Sequence, residues 1–160
     1  ASDIAAMHQV RVSVRENTLS DPNRITESDY IAALEALGRT WVVEADGAVV
    51  GFATGYKNGS IWALFIHPDH EGRGYGKALL DIVVSWLWSE GFKRIWLITA
   101  PGTRAERFYA SQGWRHSGGD LDGDVRLELH HDARACCSCH PNPRRSFSVE
   151  IDLPTQVCKA

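Results

Sequence analysis

The chain has 160 residues, 44% hydrophobic and 23% charged, with a formal net charge of -3; that suits one globular domain with its own core and is too short for two. Basic residues are scattered, with Arg144-Arg145 the one tight cluster near the end, so no electrostatic footprint for nucleic acid is expected. The longest apolar run, Ala78 to Trp88, is interrupted by Asp81 and Ser85 and is too short to span a bilayer.

In chain order, Ile4, Met7, Val10 and Val14 recur at helical spacing behind Asp3, a suitable N-cap, and predict an opening helix. Ser20-Asp21-Pro22-Asn23 breaks it. A second helix is expected from about Ser28 to Leu37, with Tyr30, Leu34 and Leu37 on one face and Gly38 as its stop. The period then changes. Trp41 to Glu44, the turn Asp46-Gly47, and Ala48 to Tyr56 read as a hairpin, because Asp-Gly supplies two positive φ angles. Asn58-Gly59 makes a second such turn before a third strand, Ser60 to Ile66.

Tyr75, Ala78, Leu79, Ile82, Val83, Trp86 and Leu87 then trace one apolar helix face, ended by Gly91 at a left-handed C-cap position. Lys93 to Thr99 is a buried-type strand, and Thr103-Arg104-Ala105-Glu106 fits a capping box that starts a shorter helix stopping at Gly113. Trp114 to His116 and Val125 to Leu129 close the domain as a hairpin around Asp122-Gly123. The order predicts a mixed α/β domain over residues 1–129: a mainly antiparallel central sheet with helices on both faces. Residues 130–160 read as a tail, holding three of the six prolines and all four cysteines. Within it, the alternation of Phe147, Val149, Ile151 and Leu153 with polar residues allows one strand.

The junction after the third strand carries the chemistry. His67-Pro68-Asp69-His70 leads into Glu71-Gly72-Arg73-Gly74-Tyr75-Gly76-Lys77 and then the long helix. Alternate glycines let backbone N–H groups converge, and the helix start adds partial positive charge, which together suit a pyrophosphate. Arg73 and Lys77 can add charge. A tight turn is the plain alternative for a lone glycine cluster. The Walker pattern fails because Ala78 follows Lys77 and its first glycine would fall on Glu71. The dinucleotide pattern fails because it requires glycine at Lys77 or Leu79.

What remains resembles the GNAT acetyltransferase superfamily, whose motif Gln/Arg-x-x-Gly-x-Gly/Ala lies between a strand and a helix. The resemblance runs from Asp3 to Leu129 in element order. It includes Ile66-His67-Pro68, and also Ala105-Glu106-Arg107-Phe108-Tyr109 with Gln112-Gly113-Trp114. It implies an N-acetyltransferase that moves the acetyl group of acetyl-coenzyme A, its co-substrate, onto a primary amine by direct attack. Leu64, Phe65 and Ile66 would lend backbone groups to the pantetheine arm, one N–H stabilising the oxyanion of the tetrahedral intermediate. Residues Glu71 to Lys77 would wrap the pyrophosphate, with Phe108 also at the cofactor. Tyr109 matches the family tyrosine that protonates the departing thiolate. From periodicity alone it reads as a core aromatic, since Ala105, Phe108, Tyr109 and Gln112 share one helix face.

The chain departs from the family at three points. Glu71 stands where Gln or Arg is usual, so its carboxylate must point away or be offset by Arg73. Gly102-Thr103 occupies a stretch where the family often has Asn. The family's first strand has no counterpart ahead of the opening helix, and the tail strand Ser146 to Leu153 is the expected substitute at that sheet edge.

The acceptor side is less defined. An amine attacks only when neutral, so a base or a desolvating pocket is needed. His67, His70 and Glu71 are the nearest titratable groups in sequence, with His67 reading as a loop residue, and the base is unassigned. Asn17, Asp21 and Tyr30 fall where the family commonly shapes its acceptor pocket. Asp120, Asp122 and Asp124 read as turn chemistry, and an EF-hand is excluded by Val125 and His131 at its glycine and glutamate positions. Cys136, Cys137 and Cys139 crowd together with Cys158 far away, which suits free thiols better than zinc. No metal is therefore expected. No secretory signal is visible in Ala1 to Met7 and the expected core is cysteine-free, so a reducing cytoplasm is the expected location. A homodimer is allowed by the sequence, not required. A non-catalytic acyl-coenzyme A-binding module and a metal-linked interaction protein stay open as alternatives.

Overall fold

The computed structural model describes residues 2–15, 26–32, 37–119 and 123–131. Helix α1 (Ser2–Ser13) is followed by α2 (Glu27–Ala32) and then by strands β1 (Gly38–Ala45), β2 (Ala48–Tyr56) and β3 (Ile61–Ile66). A 3-10 turn over Pro68–His70 leads into α3 (Tyr75–Ser89). After it come β4 (Arg94–Thr99), α4 (Arg104–Ser111), β5 (Arg115–Gly119) and β6 (Val125–His130).

Local chemistry accounts for the turns. Asp46 and Gly47 take φ of 53° and 77°, the paired positive angles that let β1 fold straight back onto β2. At the next reversal Gly59 takes φ 85°, and the Asn58 side-chain Oδ1 accepts from the Ser60 N–H at 3.0 Å and from its hydroxyl at 2.7 Å. Helix α3 ends in a Schellman motif. The Phe92 N–H reaches the Leu87 carbonyl and the Gly91 N–H reaches that of Trp88, with Gly91 at φ 93°.

Two antiparallel three-stranded sheets result, in the orders β1-β2-β3 and β4-β6-β5. A single parallel bridge joins them, Ser60 to Trp96, where the Trp96 N–H donates to the Gly59 carbonyl at 3.1 Å. The one central sheet expected from the sequence is thus a fork. Beyond the bridge no strand pairing links β3 to β4 among the described residues, and one edge of β3 stays open.

Helices cover both faces. On one, Leu79, Leu80, Val83 and Leu87 of α3 pack with Trp41, Val43, Ala53, Ile95 and Leu97 in the main core. On the other, Met7 and Val10 of α1 and Tyr30 of α2 pack on Val42, Phe52 and Ala63. No helix among the described residues is long and apolar enough to cross a membrane, and none of their His, Cys, Asp and Glu side chains cluster as a metal site would require. The tail cysteines, the strand expected at Ser146 to Leu153, and Asn17, Asp21, Asp120 and Asp122 lie outside the described residues.

Candidate active site

The fork opens into a groove of about 570 Å³. Its walls are β3 from Ile61 to Ile66 on one side and Leu97, Ile98 and Thr99 of β4 on the other. Its floor is the start of α3, and Ala105, Phe108 and Tyr109 of α4 close one flank.

Backbone register decides what the open edge of β3 offers. The His67 N–H bonds the Val50 carbonyl at 2.8 Å, and Ile66, Phe65 and Leu64 oppose Gly51, Phe52 and Ala53. Because hydrogen-bonded and non-bonded pairs alternate in an antiparallel ladder, Phe65 shares its bonds with Phe52. Leu64 and Ile66 then turn their N–H and C=O groups toward the groove. Two donors and two acceptors line an edge that an extended chain can extend as an added strand.

The groove leads to the N-terminus of α3. Gly72 and Gly74 take φ of 72° and 85°, so the loop winds through left-handed backbone that side chains resist. Gly74 is the N-cap and supplies no side-chain hydrogen bond. The first helical N–H groups are therefore left for an anion. A Cβ on Gly76 would meet Ile66 and Phe108 only at ordinary contact distance, so the helix start lies beside both groove residues without space demanding glycine there. The chemistry of this cradle suits a phosphate group.

The charged residues behave differently from the sequence expectation. Of Glu71 to Lys77, all but Arg73 line the groove. The Arg73 guanidinium turns back to the Asp69 carbonyl at 3.3 Å, and Lys77 is held by both carboxylate oxygens of Asp81 at 2.8 and 3.0 Å. The Glu71 carboxylate is offset not by Arg73 but by Arg104, whose guanidinium bonds it directly across the groove mouth. Arg104 was not singled out from the sequence, since 33 positions separate it from Glu71. His67 is structural: its Nδ1 accepts the Asp69 N–H at 3.2 Å and caps the turn. His70 does line the groove, with Nδ1 buried and unpartnered among the described residues.

Tyr109 is fixed by the end of its own helix. Thr103 caps α4 by accepting the Glu106 N–H at 3.2 Å, and the Glu106 carboxylate takes the Gly102 N–H. At the other end the Gly113 N–H bonds Ala110 O and the Trp114 N–H bonds Tyr109 O at 3.2 Å, with Gly113 at φ 88°. That cap folds Trp114 back so that its ring meets Tyr109 edge-on at 5.7 Å, while Phe108 lies at 5.3 Å. Tyr109 is 7% exposed and still lines the groove. Burial pushes its phenol well above the ordinary tyrosine value, so the hydroxyl stays protonated throughout the neutral range. A phenol held in that form can give a proton but not take one. Tyr30, by contrast, packs among His8, Phe52 and Trp62 and is not part of the groove lining.

Comparison with known proteins gives a consistent result. The family model described as "Acetyltransferase (GNAT) family" matches residues 4–114. The ycf52-like N-acetyltransferase of Prochlorococcus marinus is 40% identical over 70 residues, covering 41% of this chain and 38% of the relative. The chain therefore spans well under half the length of that relative. The ribosomal-protein-S18-alanine N-acetyltransferase of Escherichia coli superimposes with a TM-score of 0.64 at 16% identity, covering 81% of this chain and 88% of that one. The PaiA N-acetyltransferase of Thermoplasma acidophilum, solved in complex with coenzyme A, gives 0.65 at 15% identity, covering 81% and 94%. At such identities the two structures speak for the fold alone.

Proposed function

This chain belongs to the GNAT acetyltransferase family, and from that premise we propose that it moves the acetyl group of acetyl-coenzyme A onto a primary amine. One observation carries the reading: an open strand edge at Leu64 and Ile66 runs directly into an uncapped helix N-terminus at Gly74. That combination fits the two chemically distinct parts of the co-substrate. An amide-rich pantetheine arm can pair with the strand edge, and a pyrophosphate suits the N–H groups of α3. Leu64 and Ile66, the Glu71–Lys77 loop and Phe108 hold the co-substrate in this proposal, whereas Phe65, expected from the sequence to lend backbone groups too, gives them to Phe52 of β2; a thioester supplies the activated acyl group.

In the reaction the neutral amine nitrogen bonds to the thioester carbonyl carbon, giving a tetrahedral intermediate. A backbone N–H of the β3 edge faces the developing oxyanion. The carbon–sulfur bond then breaks, the thiolate takes the Tyr109 proton, the amine's surplus proton passes to water, and the Tyr109 phenolate takes a proton back from water. His70 is the titratable lining group closest to that path in sequence. The acetyltransferase unit is residues 1–129, with 130–160 an appendage to it.

Isothermal titration with acetyl-coenzyme A, followed by an amine screen for thiol release, tests the proposal. Saturable binding with turnover supports it. Binding without turnover of any amine would favour a non-catalytic acyl-coenzyme A-binding module, a reading that draws on Glu71 being the one carboxylate among the described lining residues and already engaged by Arg104.

The Glu71–Arg104 pair makes its own prediction. Glu71→Gln removes a negative charge from the cradle. Coenzyme A should then bind about fivefold more tightly in the same titration, the scale of one partly screened charge near an exposed site. Stability should shift by about 0.5 kcal/mol or less, because exposed ion pairs contribute little. Weaker binding in Glu71→Gln would show instead that the carboxylate orders the loop.

A further inference from the structure

The groove that opens at the helix cradle closes at its other end. Ser60 and Trp96 form a parallel bridge there, and the Trp96 N–H donates to the Gly59 carbonyl at 3.1 Å. Just inside the closure, Ile61 and Trp62 of β3 and Leu97 and Ile98 of β4 all line the groove. Ile61 is 6% exposed and Leu97 2%, and both pack in the main core with Tyr109. Ser60, at the bridge itself, is 4% exposed. The blind end is therefore walled by close-packed side chains. Ile98 differs: it is 40% exposed and marks a side way to solvent.

Strand register turns this closure into a ruler. The helix cradle lies beside Ile66, since a Cβ on Gly76 would sit 3.7 Å from the Ile66 Cγ1. From there the open edge runs by way of Leu64 to Ala63 and Ile61, with Trp62 bulged between the last two and opposed by no residue of β2. A pantetheine arm carries two amides. With these on Ile66 and Leu64, three bonds remain to the sulfur, the advance of about one residue or ~3.3 Å. The sulfur then stands beside Ala63, with the thioester carbonyl just past it toward Trp62. From Ala63 to Ser60 is about 10 Å of strand. The carbonyl step takes about 1 Å of that, and van der Waals contact with the closing strands about 4 Å. About 5 Å is left, enough for roughly three more carbons.

We infer that the closed end of the fork limits the acyl group to about four carbons, with Ile61 and Leu97 as the residues that set the limit. Acetyl, propionyl and butyryl groups fit between Ala63 and the bridge. A hexanoyl or octanoyl chain meets packed side chains, and forcing extra methylenes into a packed wall is costly. The helix cradle cannot make this selection. Leu64, Ile66 and Gly74 address the coenzyme A portion, which every such donor shares. The inference rests on the acetyltransferase reading and adds what selects its acyl donor.

The test is isothermal titration of the full chain with the acetyl, propionyl, butyryl, hexanoyl and octanoyl thioesters of coenzyme A. An open apolar channel would gain about fourfold in affinity per added carbon. The closed fork should instead bind octanoyl-coenzyme A about tenfold or more weakly than butyryl-coenzyme A, the scale of an overpacked core. Leu97→Ala, which removes about three carbons from the wall, should raise the hexanoyl-to-butyryl affinity ratio about tenfold. Ile61→Val should raise it by less. The wild-type series and Ile61→Val decide the matter even if Leu97→Ala fails to fold. A wild-type loss of less than tenfold would overturn the inference, showing that the chain leaves past Ile98, and would keep the acetyltransferase reading intact. A cutoff that the folded variants leave unmoved would overturn the assignment of Ile61 and Leu97. A silent acetyl-coenzyme A titration would overturn both readings.

Discussion

Gly74→Asp is expected to weaken acetyl-coenzyme A binding about 100-fold or more while leaving the domain folded, since a carboxylate a few ångströms from a pyrophosphate costs a few kcal/mol. Gly74 sits at φ 85°, in left-handed backbone, as the N-cap of α3. Aspartate is one of the few side chains that tolerates this conformation locally. A negative charge at a helix start is also favourable by about 0.3–1 kcal/mol, which offsets most of the residual strain. The melting temperature should therefore move by only a few degrees, a shift equivalent to about 1 kcal/mol or less. The variant instead loads the helix N-terminus with an anion of its own and repels the incoming one. Isothermal titration and a thermal melt on the same preparation separate the two effects. Unchanged affinity in a folded Gly74→Asp protein would mean that the cofactor phosphates bind elsewhere. Loss of the fold would mean that the loop at Gly74 has a mainly structural role, and Gly72→Asp, at φ 72° with open space around a new Cβ, would then carry the test.

Much of this cradle was legible in the sequence because its causes are local. Asp46-Gly47 and Asn58-Gly59 fix their turns through backbone angles that few other residues accept, and the apolar stripe from Tyr75 to Leu87 could be only one face of a packed helix. Thr103 with Glu106 marked the start of α4, and Gly113 its end. What escaped was whatever depends on pairing between distant segments. The alternation of β3 and β4 says which faces they bury, not that the two strands part beyond Ser60 and Trp96. Arg104 and Glu71 meet only because α4 returns to the mouth of the loop. Asp81, four residues after Lys77 on the same helix face, pairs with it across one helical turn.

The second large effect concerns Tyr109. Tyr109→Phe should lower kcat about 100-fold and leave the acetyl-coenzyme A dissociation constant unchanged, at the modest end of general-acid effects because a thiolate is already a fair leaving group. The hydroxyl is the only group lost, and the ring keeps its edge-on contact with Trp114. The pH dependence adds a second readout. Burial raises the Tyr109 pKa above its ordinary value of 10.0, so the phenol does not ionise in the range where an amine acceptor loses its proton. The wild-type rate should rise with pH as the amine becomes neutral, with no loss attributable to Tyr109 below about pH 10. Tyr109→Phe should run parallel and lower across that range. The same shift has a consequence for stability. A tyrosine whose folded pKa lies above its unfolded value favours the native state in full below the unfolded pKa, and that contribution is lost as pH rises through the folded one. Tyr56, which burial pushes up to about 12, acts in the same direction. Wild-type stability should therefore decline from about pH 10 upward, and less steeply in Tyr109→Phe. An unchanged kcat in Tyr109→Phe would return this residue to the core aromatic that periodicity alone suggested, and would leave the thiolate to depart unassisted or to take its proton from water.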